Sequence, residues 1–149
     1  MNVETPTLSL VIPCYNEQDN LRALIAAIRE SIEPLKVSYE VVITDDCSRD
    51  KSWEILKELA AGDPRIRVQR FAFNCGESAA SFAGMKAARG KYIVTVDADL
   101  QNDPADIPRF LSKIAEGYDV VSGWRKKRQD DVILRKIPSV VANGQAWGL

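Results

Sequence analysis

Short runs of aliphatic and β-branched residues alternate along the chain with longer stretches in which apolar side chains recur every three or four positions. This alternation is typical of a parallel β-sheet covered by helices on both faces. The runs that predict strands are residues 8–12, 40–44, 66–71, 92–96 and 120–122. We therefore expect an α/β fold with a mostly parallel central sheet whose strands are buried on both sides.

Four stretches between those runs predict helices. Apolar stripes mark the first two, at about residues 19–32 and 52–61. The third, at about residues 78–89, is rich in alanine and glycine, so we expect its backbone to pack closely against a neighbour. The fourth begins with Asp103 as its cap and Pro104 in its first turn.

The size and composition of the chain favour one globular domain spanning residues 1–149, with 46% hydrophobic and 28% charged residues. A net charge of −1 gives no overall attraction to nucleic acid, which we do not expect as a partner. No apolar run approaches the roughly 20 residues of a membrane-spanning helix, and residues 1–10 do not resemble a signal peptide. We therefore expect this chain, taken alone, to be soluble and cytoplasmic.

The residue types present limit the chemistry. The chain has no histidine, which excludes Ser-His and Cys-His hydrolysis. Its three cysteines are odd in number and lack CxxC spacing, which disfavours a zinc site and a disulfide framework. Any reaction must therefore depend on carboxylates, a metal ion or arginine.

Acidic residues follow two of the predicted strands. Asp45 and Asp46 follow the second strand, and Asp97 and Asp99 follow the fourth. Ligands of open α/β sheets bind beyond the carboxyl ends of the strands, so we expect these four carboxylates to converge on one edge. Like charges at close range are costly, and Mg²⁺ or Mn²⁺ would offset them. Turn and helix-cap chemistry is the alternative explanation for both pairs.

Two further groups of polar residues stand near predicted strand ends. Tyr15 and Glu17 could contact a base or ribose, although Asn16 and Glu17 could equally introduce the first helix. For Asp46 we favour recognition of the base or ribose. The second group is the basic stretch at residues 124–128, where Arg125 and Arg128 could bind phosphate groups, followed by Arg135 and Ser139 as a further phosphate-binding pair. For Lys126 and Lys127 of this stretch, a solvated surface is the favoured explanation.

Five ordered blocks of the sequence resemble the family 2 glycosyltransferases. The blocks are residues 11–17 (VIPCYNE), 45–50 (DDCSRD), 74–80 (NCGESAA), 97–104 (DADLQNDP) and 123–130 (GWRKKRQD). The resemblance runs from about residue 8 to residue 143. Within the family it is to the branch that acts on polyprenyl phosphates, which includes dolichyl-phosphate mannose synthases and undecaprenyl-phosphate glycosyltransferases.

This resemblance implies a GT-A fold, which is a Rossmann-like three-layer arrangement, and inverting transfer of a sugar from a UDP- or GDP-linked donor to a polyprenyl phosphate. It implies Mg²⁺ or Mn²⁺ at Asp97, Asp99 and Gln101. The residues it places around the nucleotide are Pro13, Tyr15, Asn16, Glu17, Asp45, Asp46, Asp97, Ala98 and Arg128. The residues it implies for catalysis are Asp99, Arg125, Arg135 and Ser139, the last two toward the lipid phosphate.

The family's relatives continue into interfacial or transmembrane helices, whereas residues 144–149 (GQAWGL) depart from that pattern. We therefore expect a catalytic domain truncated before a membrane-associated region. The full-length form would lie at the inner face of the membrane. Assembly into a homo-oligomer is possible. Three alternatives compete with this interpretation: a metal-dependent phosphohydrolase with Asp97 as its nucleophile, a truncated domain that binds nucleotide without transfer, and a receiver-like signalling domain.

Overall fold

The structure is a computed structural model, which describes residues 5–123. Its strands and helices alternate along the chain, as the hydrophobic pattern predicts. The strands are β1 (Leu8–Cys14), β2 (Tyr39–Asp45), β3 (Ile66–Arg70) and β4 (Tyr92–Thr95). The helices are α1 (Leu21–Ile32), α2 (Ser52–Gly62), α3 (Glu77–Ala87) and α4 (Ile107–Ala115), with short 3₁₀ turns at Glu33–Leu35 and Pro104–Asp106.

The described residues form one sheet of four parallel strands in the order β3-β2-β1-β4. Leu10 of β1 pairs with Val41 of β2 and with Val94 of β4, and Val41 pairs in turn with Ile66 of β3. Paired residues of parallel strands point to the same face, so these side chains form one apolar layer. The predicted α/β fold with a mostly parallel sheet is confirmed.

The apolar face of the sheet packs against α1, α2 and α4. Leu24 and Ile28 of α1, Leu56 of α2 and Ile107 of α4 are almost fully buried in this core. The spacing of the α1 residues by four positions places them on one side of the helix, which is why the apolar stripe predicts the helix and its buried face.

Helix α3 lies against the opposite face of the sheet. A Cβ atom added to Gly84 would lie 2.5 Å from Cγ1 of Val11 and 3.3 Å from Oγ1 of Thr44, which are side chains of β1 and β2. Only a residue without a side chain therefore fits at this contact. The close approach predicted from the small residues of this helix is confirmed.

A buried carboxylate ties the amino ends of the strands to the end of α3. Glu40 accepts hydrogen bonds from the Ser9 hydroxyl and from the Arg67 guanidinium. It also accepts from the backbone and the side chain of Arg89. Burial alone would raise the pKa of Glu40, but these donors outweigh it and lower the pKa from its ordinary 4.5 to about 2.

Two predictions about the elements need correction. The fifth strand, at residues 120–122, is absent: residues 119–123 contain no strand, and Val120 is 84% exposed. A three-residue run with an exposed valine gains too little burial to form one. The fourth α-helix begins at Ile107, because Asp103 caps a 3₁₀ turn by accepting from the amide of Ala105.

The chain divides into two units, Met1–Tyr118 and Asp119–Leu149. The first unit holds every element named above. Residues 119–123 are the described part of the second, and they contain neither helix nor strand. Across residues 5–123, none of the helices has both the length and the apolar character needed to cross a membrane.

Candidate functional site

Four loops leave the carboxyl ends of the strands, at residues 15–20, 46–51, 71–76 and 96–103. Within residues 5–123, three of the four non-glycine residues with a left-handed backbone lie in these loops: Asn16 (φ 57°), Cys47 (φ 61°) and Leu100 (φ 60°). Such a backbone costs an L-residue roughly 1–2 kcal/mol, and strain of this kind clusters at functional sites. The strained positions therefore mark the edge that the sequence predicts as the site.

The loops after β1 and β2 hold each other by reciprocal hydrogen bonds. The backbone amide of Asn16 donates to the Ser48 hydroxyl at 2.9 Å, and the amide of Arg49 donates to the Asn16 side-chain oxygen at 2.8 Å. The Asn16 side chain, which the sequence assigns to nucleotide binding, therefore fastens the two loops together.

The next residues of the same two loops repeat this exchange. The amide of Gln18 donates to Asp50, and the amide of Lys51 donates to the Gln18 side chain. The amide of Glu17 donates to the Ser52 hydroxyl at 2.8 Å. Burial would raise the pKa of Asp50, but hydrogen bonds from Ser52 and Gln18 outweigh it and lower the pKa. These bonds make the two loops a single rigid frame.

The frame presents the other residues predicted at the end of β1. Tyr15 is exposed, so its ring is accessible to a ligand. Glu17 is half-buried, and its carboxylate accepts from the Asn20 side chain at 2.7 Å. Pro13 is half-buried at the end of the strand. The frame therefore carries an aromatic ring and a carboxylate two positions apart along the chain.

Asp45 is neutralised by a protein partner. Its carboxylate is fully buried and lies 2.9 Å from Nε of Arg70, at the end of β3. Arg70 also donates to the backbone carbonyl of Ser48 and stacks over the Trp53 ring. Asp45 therefore needs no metal ion to offset its charge.

Asp46 is buried as well, and both of its carboxylate oxygens accept backbone amides. Oδ1 lies 2.6 Å from the nitrogen of Cys75, and Oδ2 lies 2.8 Å from that of Gly76. The two adjacent acids thus serve different loops: Asp45 binds the end of β3, and Asp46 binds the segment that follows it.

Cys14, next to this pair along the sheet, is not a reactive thiol. Burial, and secondarily the negative charge of Asp45, raises its pKa to about 12. The thiol therefore stays protonated at neutral pH and does not supply a nucleophile.

The loop after β4 carries the predicted metal ligands. Asp97 accepts from the Asn102 side chain at 2.6 Å, and Oδ1 of Asp99 accepts from the amide of Gln101 at 2.9 Å. Both aspartates are half-buried, Ala98 between them is buried, and Gln101 is exposed. The second contact is the Asx turn that the sequence left as an alternative, and it leaves Oδ2 of Asp99 without a hydrogen-bond donor among residues 5–123.

The four aspartates do not form one metal-binding cluster. Across the part of the chain that the structure describes, no three histidine, cysteine, aspartate or glutamate side chains are grouped so that they could hold an ion. Asp45 and Asp46 need no cation to offset their charges, because these are met by Arg70 and by backbone amides. Asp97 and Asp99 are the remaining candidates.

Four of the predicted site residues cannot be placed at the carboxyl edge of the sheet. Arg125, Arg128, Arg135 and Ser139 lie outside the described residues. In the other direction, the structure adds residues to which the sequence gave no role: Gln18, Ser48, Asp50, Ser52 and Arg70 build the frame and neutralise Asp45. The dense serine and aspartate pattern at residues 45–52 is the signal that could have indicated the hydrogen-bonded turn.

The fold matches solved glycosyltransferase structures. S. aureus TarS 1–349 gives a TM-score of 0.61 at 22% identity, covering 74% of this chain and 32% of that one. The mannosyltransferase PcManGT from Pyrobaculum calidifontis, in complex with GDP-Man and Mn²⁺, gives 0.57 at 24% identity, covering 65% and 28%. The predicted GT-A fold is confirmed.

Residues 9–144 match the sequence profile of glycosyl transferase family 2, so the chain belongs to this family, as its motifs predict. A relative is the undecaprenyl-phosphate 4-deoxy-4-formamido-L-arabinose transferase of Pseudomonas fluorescens, 41% identical over 137 residues. The match covers 91% of this chain and 40% of the relative. The chain thus spans about two fifths of the length of the curated relatives it matches.

Proposed function

We propose that the protein transfers a sugar from a UDP- or GDP-linked donor to a polyprenyl phosphate. The observation that carries this proposal is the 41% identity, over nearly the whole chain, to a transferase that is named for undecaprenyl phosphate. The rigid frame at the carboxyl edge of the sheet supports it, because a nucleotide site needs preformed donors and acceptors at this edge. In this proposal the enzyme works at the inner face of the membrane, where it meets its lipid acceptor.

The donor nucleotide would lie along the frame. Tyr15 would offer a ring face to the base, and Glu17 would accept hydrogen bonds from the base or ribose. Pro13 and Ala98 would form the adjoining walls, with Asp97 as a further acceptor. Asn16, Asp45 and Asp46 would act as supports of this surface, since their side chains already bind other parts of the protein.

The loop after β4 fits a hard divalent ion. Asp99 has a carboxylate oxygen without a donor among residues 5–123, and Asp97 and Gln101 of the same loop carry further side-chain oxygen atoms. Mg²⁺ and Mn²⁺ prefer such ligands and complete their coordination with phosphate oxygens and water. When bound, the ion would offset the negative charge of the departing nucleoside diphosphate. A mannosyltransferase of the same fold is known in complex with GDP-Man and Mn²⁺.

The acceptor would react without a protein base. A phosphate monoester has a second pKa near 6, so at neutral pH its oxygen is already a nucleophile. That oxygen would attack the anomeric carbon from the face opposite the diphosphate. The bond to the diphosphate breaks as the new bond forms, and the configuration at the anomeric carbon is inverted. In this scheme Arg125 and Arg128 bind the diphosphate, and Arg135 and Ser139 bind the lipid phosphate. The absence of histidine is consistent with it.

Transfer of label tests the proposal. The chain would be incubated with Mn²⁺, undecaprenyl phosphate in detergent micelles and a panel of UDP- and GDP-sugars labelled in the sugar. We expect label to move into the lipid fraction with one of these donors. Release of free phosphate without lipid labelling would favour the phosphohydrolase, and nucleotide binding without transfer would favour the binding domain.

A further inference from the structure

The carboxylate of Asp46 grips the chain segment that follows β3. The amides of Cys75 and Gly76 donate to its two oxygens at 2.6 and 2.8 Å, and the Asn74 side chain donates to its backbone carbonyl at 3.1 Å. Asp46 is only 2% exposed, so these bonds form away from bulk water. Three consecutive residues of the 71–76 loop are thus fastened to one residue at the end of β2.

Gly76, the last of the three residues held by Asp46, has a backbone conformation that favours glycine, with a ψ of 158°. Its φ of +91° lies in the left-handed region that favours glycine. Amide bonds to a charged acceptor are stronger than those to a neutral one. A side chain at position 76 would strain this backbone, although the space around it is open.

The 71–76 loop is the third of the four loops at the carboxyl edge of the sheet, and it carries exposed side chains. Phe73 is 70% exposed, while Asp46 below the loop is buried. The sequence favours direct recognition of the base or ribose by Asp46. The geometry instead gives Asp46 a partner in the protein at each oxygen and leaves the loop as the surface that meets solvent.

We propose that Asp46 is a positioning residue that fixes the 71–76 loop as one wall of the donor site. This inference rests on the proposed function, since it names how one residue of that site acts. The contribution of Asp46 to nucleotide binding passes through the loop. A loop held in place before binding loses less conformational freedom when the donor arrives, so loss of the grip weakens donor binding.

Hydrogen exchange in the ligand-free protein tests the grip directly. Asp46→Asn replaces one acceptor oxygen by a donor group, so one of the two amides loses its partner. We expect the amides of residues 75 and 76 to exchange about tenfold faster in this variant than in the wild type. Asp99→Asn is the matched control, because among residues 5–123 its carboxylate accepts a hydrogen bond from its own loop only, and exchange at residues 75 and 76 should stay unchanged.

Nucleotide binding tests the consequence. UDP and GDP, each with Mn²⁺, would be titrated calorimetrically into the wild type, Asp46→Asn and Gly76→Ala. Gly76→Ala strains the backbone at a residue whose amide Asp46 holds and leaves the Asp46 carboxylate unaltered, so it should weaken binding as Asp46→Asn does, by about tenfold. Gly62→Ala is the control, since residue 62 has open space around it and lies at the end of α2. It should bind nucleotide like the wild type.

Faster exchange together with weaker binding in both variants supports the proposal. Unchanged exchange at residues 75 and 76 in Asp46→Asn, or wild-type nucleotide affinity in Gly76→Ala, overturns it in favour of direct contact by Asp46. If Asp46→Asn does not fold, Gly76→Ala decides the question alone. A wild type that binds neither nucleotide contradicts the proposed function and the donor-binding half of this inference, while the exchange measurement still decides whether Asp46 holds the loop.

Discussion

The Arg70 guanidinium lies 2.9 Å from the carboxylate of Asp45, and the carboxylate is fully buried whereas the arginine is about one-third exposed. The pair joins the carboxyl ends of β2 and β3 beneath the candidate site. Because Asp45 has no contact with water, its charge depends on Arg70 and on the weaker donation from the amide of Ser48, at 3.3 Å.

Removal of Arg70 should therefore destabilise the protein. We expect Arg70→Ala to lower the free energy of unfolding by about 2–3 kcal/mol, because it leaves a buried charge without its main partner. Arg22→Ala is the control: Arg22 pairs with Glu58 where both side chains are more than half exposed, and such pairs contribute roughly 0–1 kcal/mol. Urea denaturation measures both, and equal losses would contradict the role of the Asp45–Arg70 pair.

The contact of Gly84 with β1 gives a prediction about packing rather than charge. Gly84→Ala should destabilise the fold by about 1–3 kcal/mol despite the higher helix propensity of alanine, because the new Cβ would overlap Val11. Gly62→Ala, with nothing within 4 Å, should leave the free energy of unfolding unchanged or raise it slightly. Thermal or urea unfolding of the two variants distinguishes packing at residue 84 from a general effect of glycine replacement.

Glu40 should make stability depend on acid pH. Its pKa is lowered from 4.5 to about 2 in the folded protein, so its contribution is complete above about pH 4.5 and is lost as the pH falls toward 2. The shift corresponds to roughly 3 kcal/mol. Glu40→Gln should lose most of this at pH 7 and show a flatter stability profile between pH 4.5 and 2. Parallel profiles for the two proteins would contradict the assignment.

The hydrophobic pattern predicted most of the fold because it reports local burial. The stripe on α1 and the aliphatic runs of β1 and β2 need only neighbouring residues to be recognised. Residues 120–122 show where this fails, since an apolar run does not reveal whether a partner strand exists. The close packing of α3 could be predicted because a run of small side chains along one helix indicates that its backbone lies close to a neighbour.

The sequence predicts where the site lies in the fold but not which residues pair with its acidic side chains. The strand-end loops lie where the topology requires, but the partners of the acids come from far along the chain. Arg70 reaches Asp45, and the amides of Cys75 and Gly76 reach Asp46 across about 25–30 residues. No periodic pattern in the sequence indicates such contacts, so the sequence predicts four acids without protein partners at this edge of the sheet. In the structure, two of the acids are neutralised by protein partners, and Asp97 and Asp99 form a separate pair.

The role of Asp99 is the central claim, and metal-dependent donor binding tests it most directly. Calorimetric titration of UDP and GDP with and without Mn²⁺ would compare the wild type with Asp99→Ala and with Asp106→Ala, an exposed aspartate that pairs with Arg109 on the protein surface. We predict that Mn²⁺ strengthens binding of one nucleotide at least tenfold in the wild type and in Asp106→Ala, and that Asp99→Ala abolishes this gain. An undiminished gain in Asp99→Ala would contradict the account.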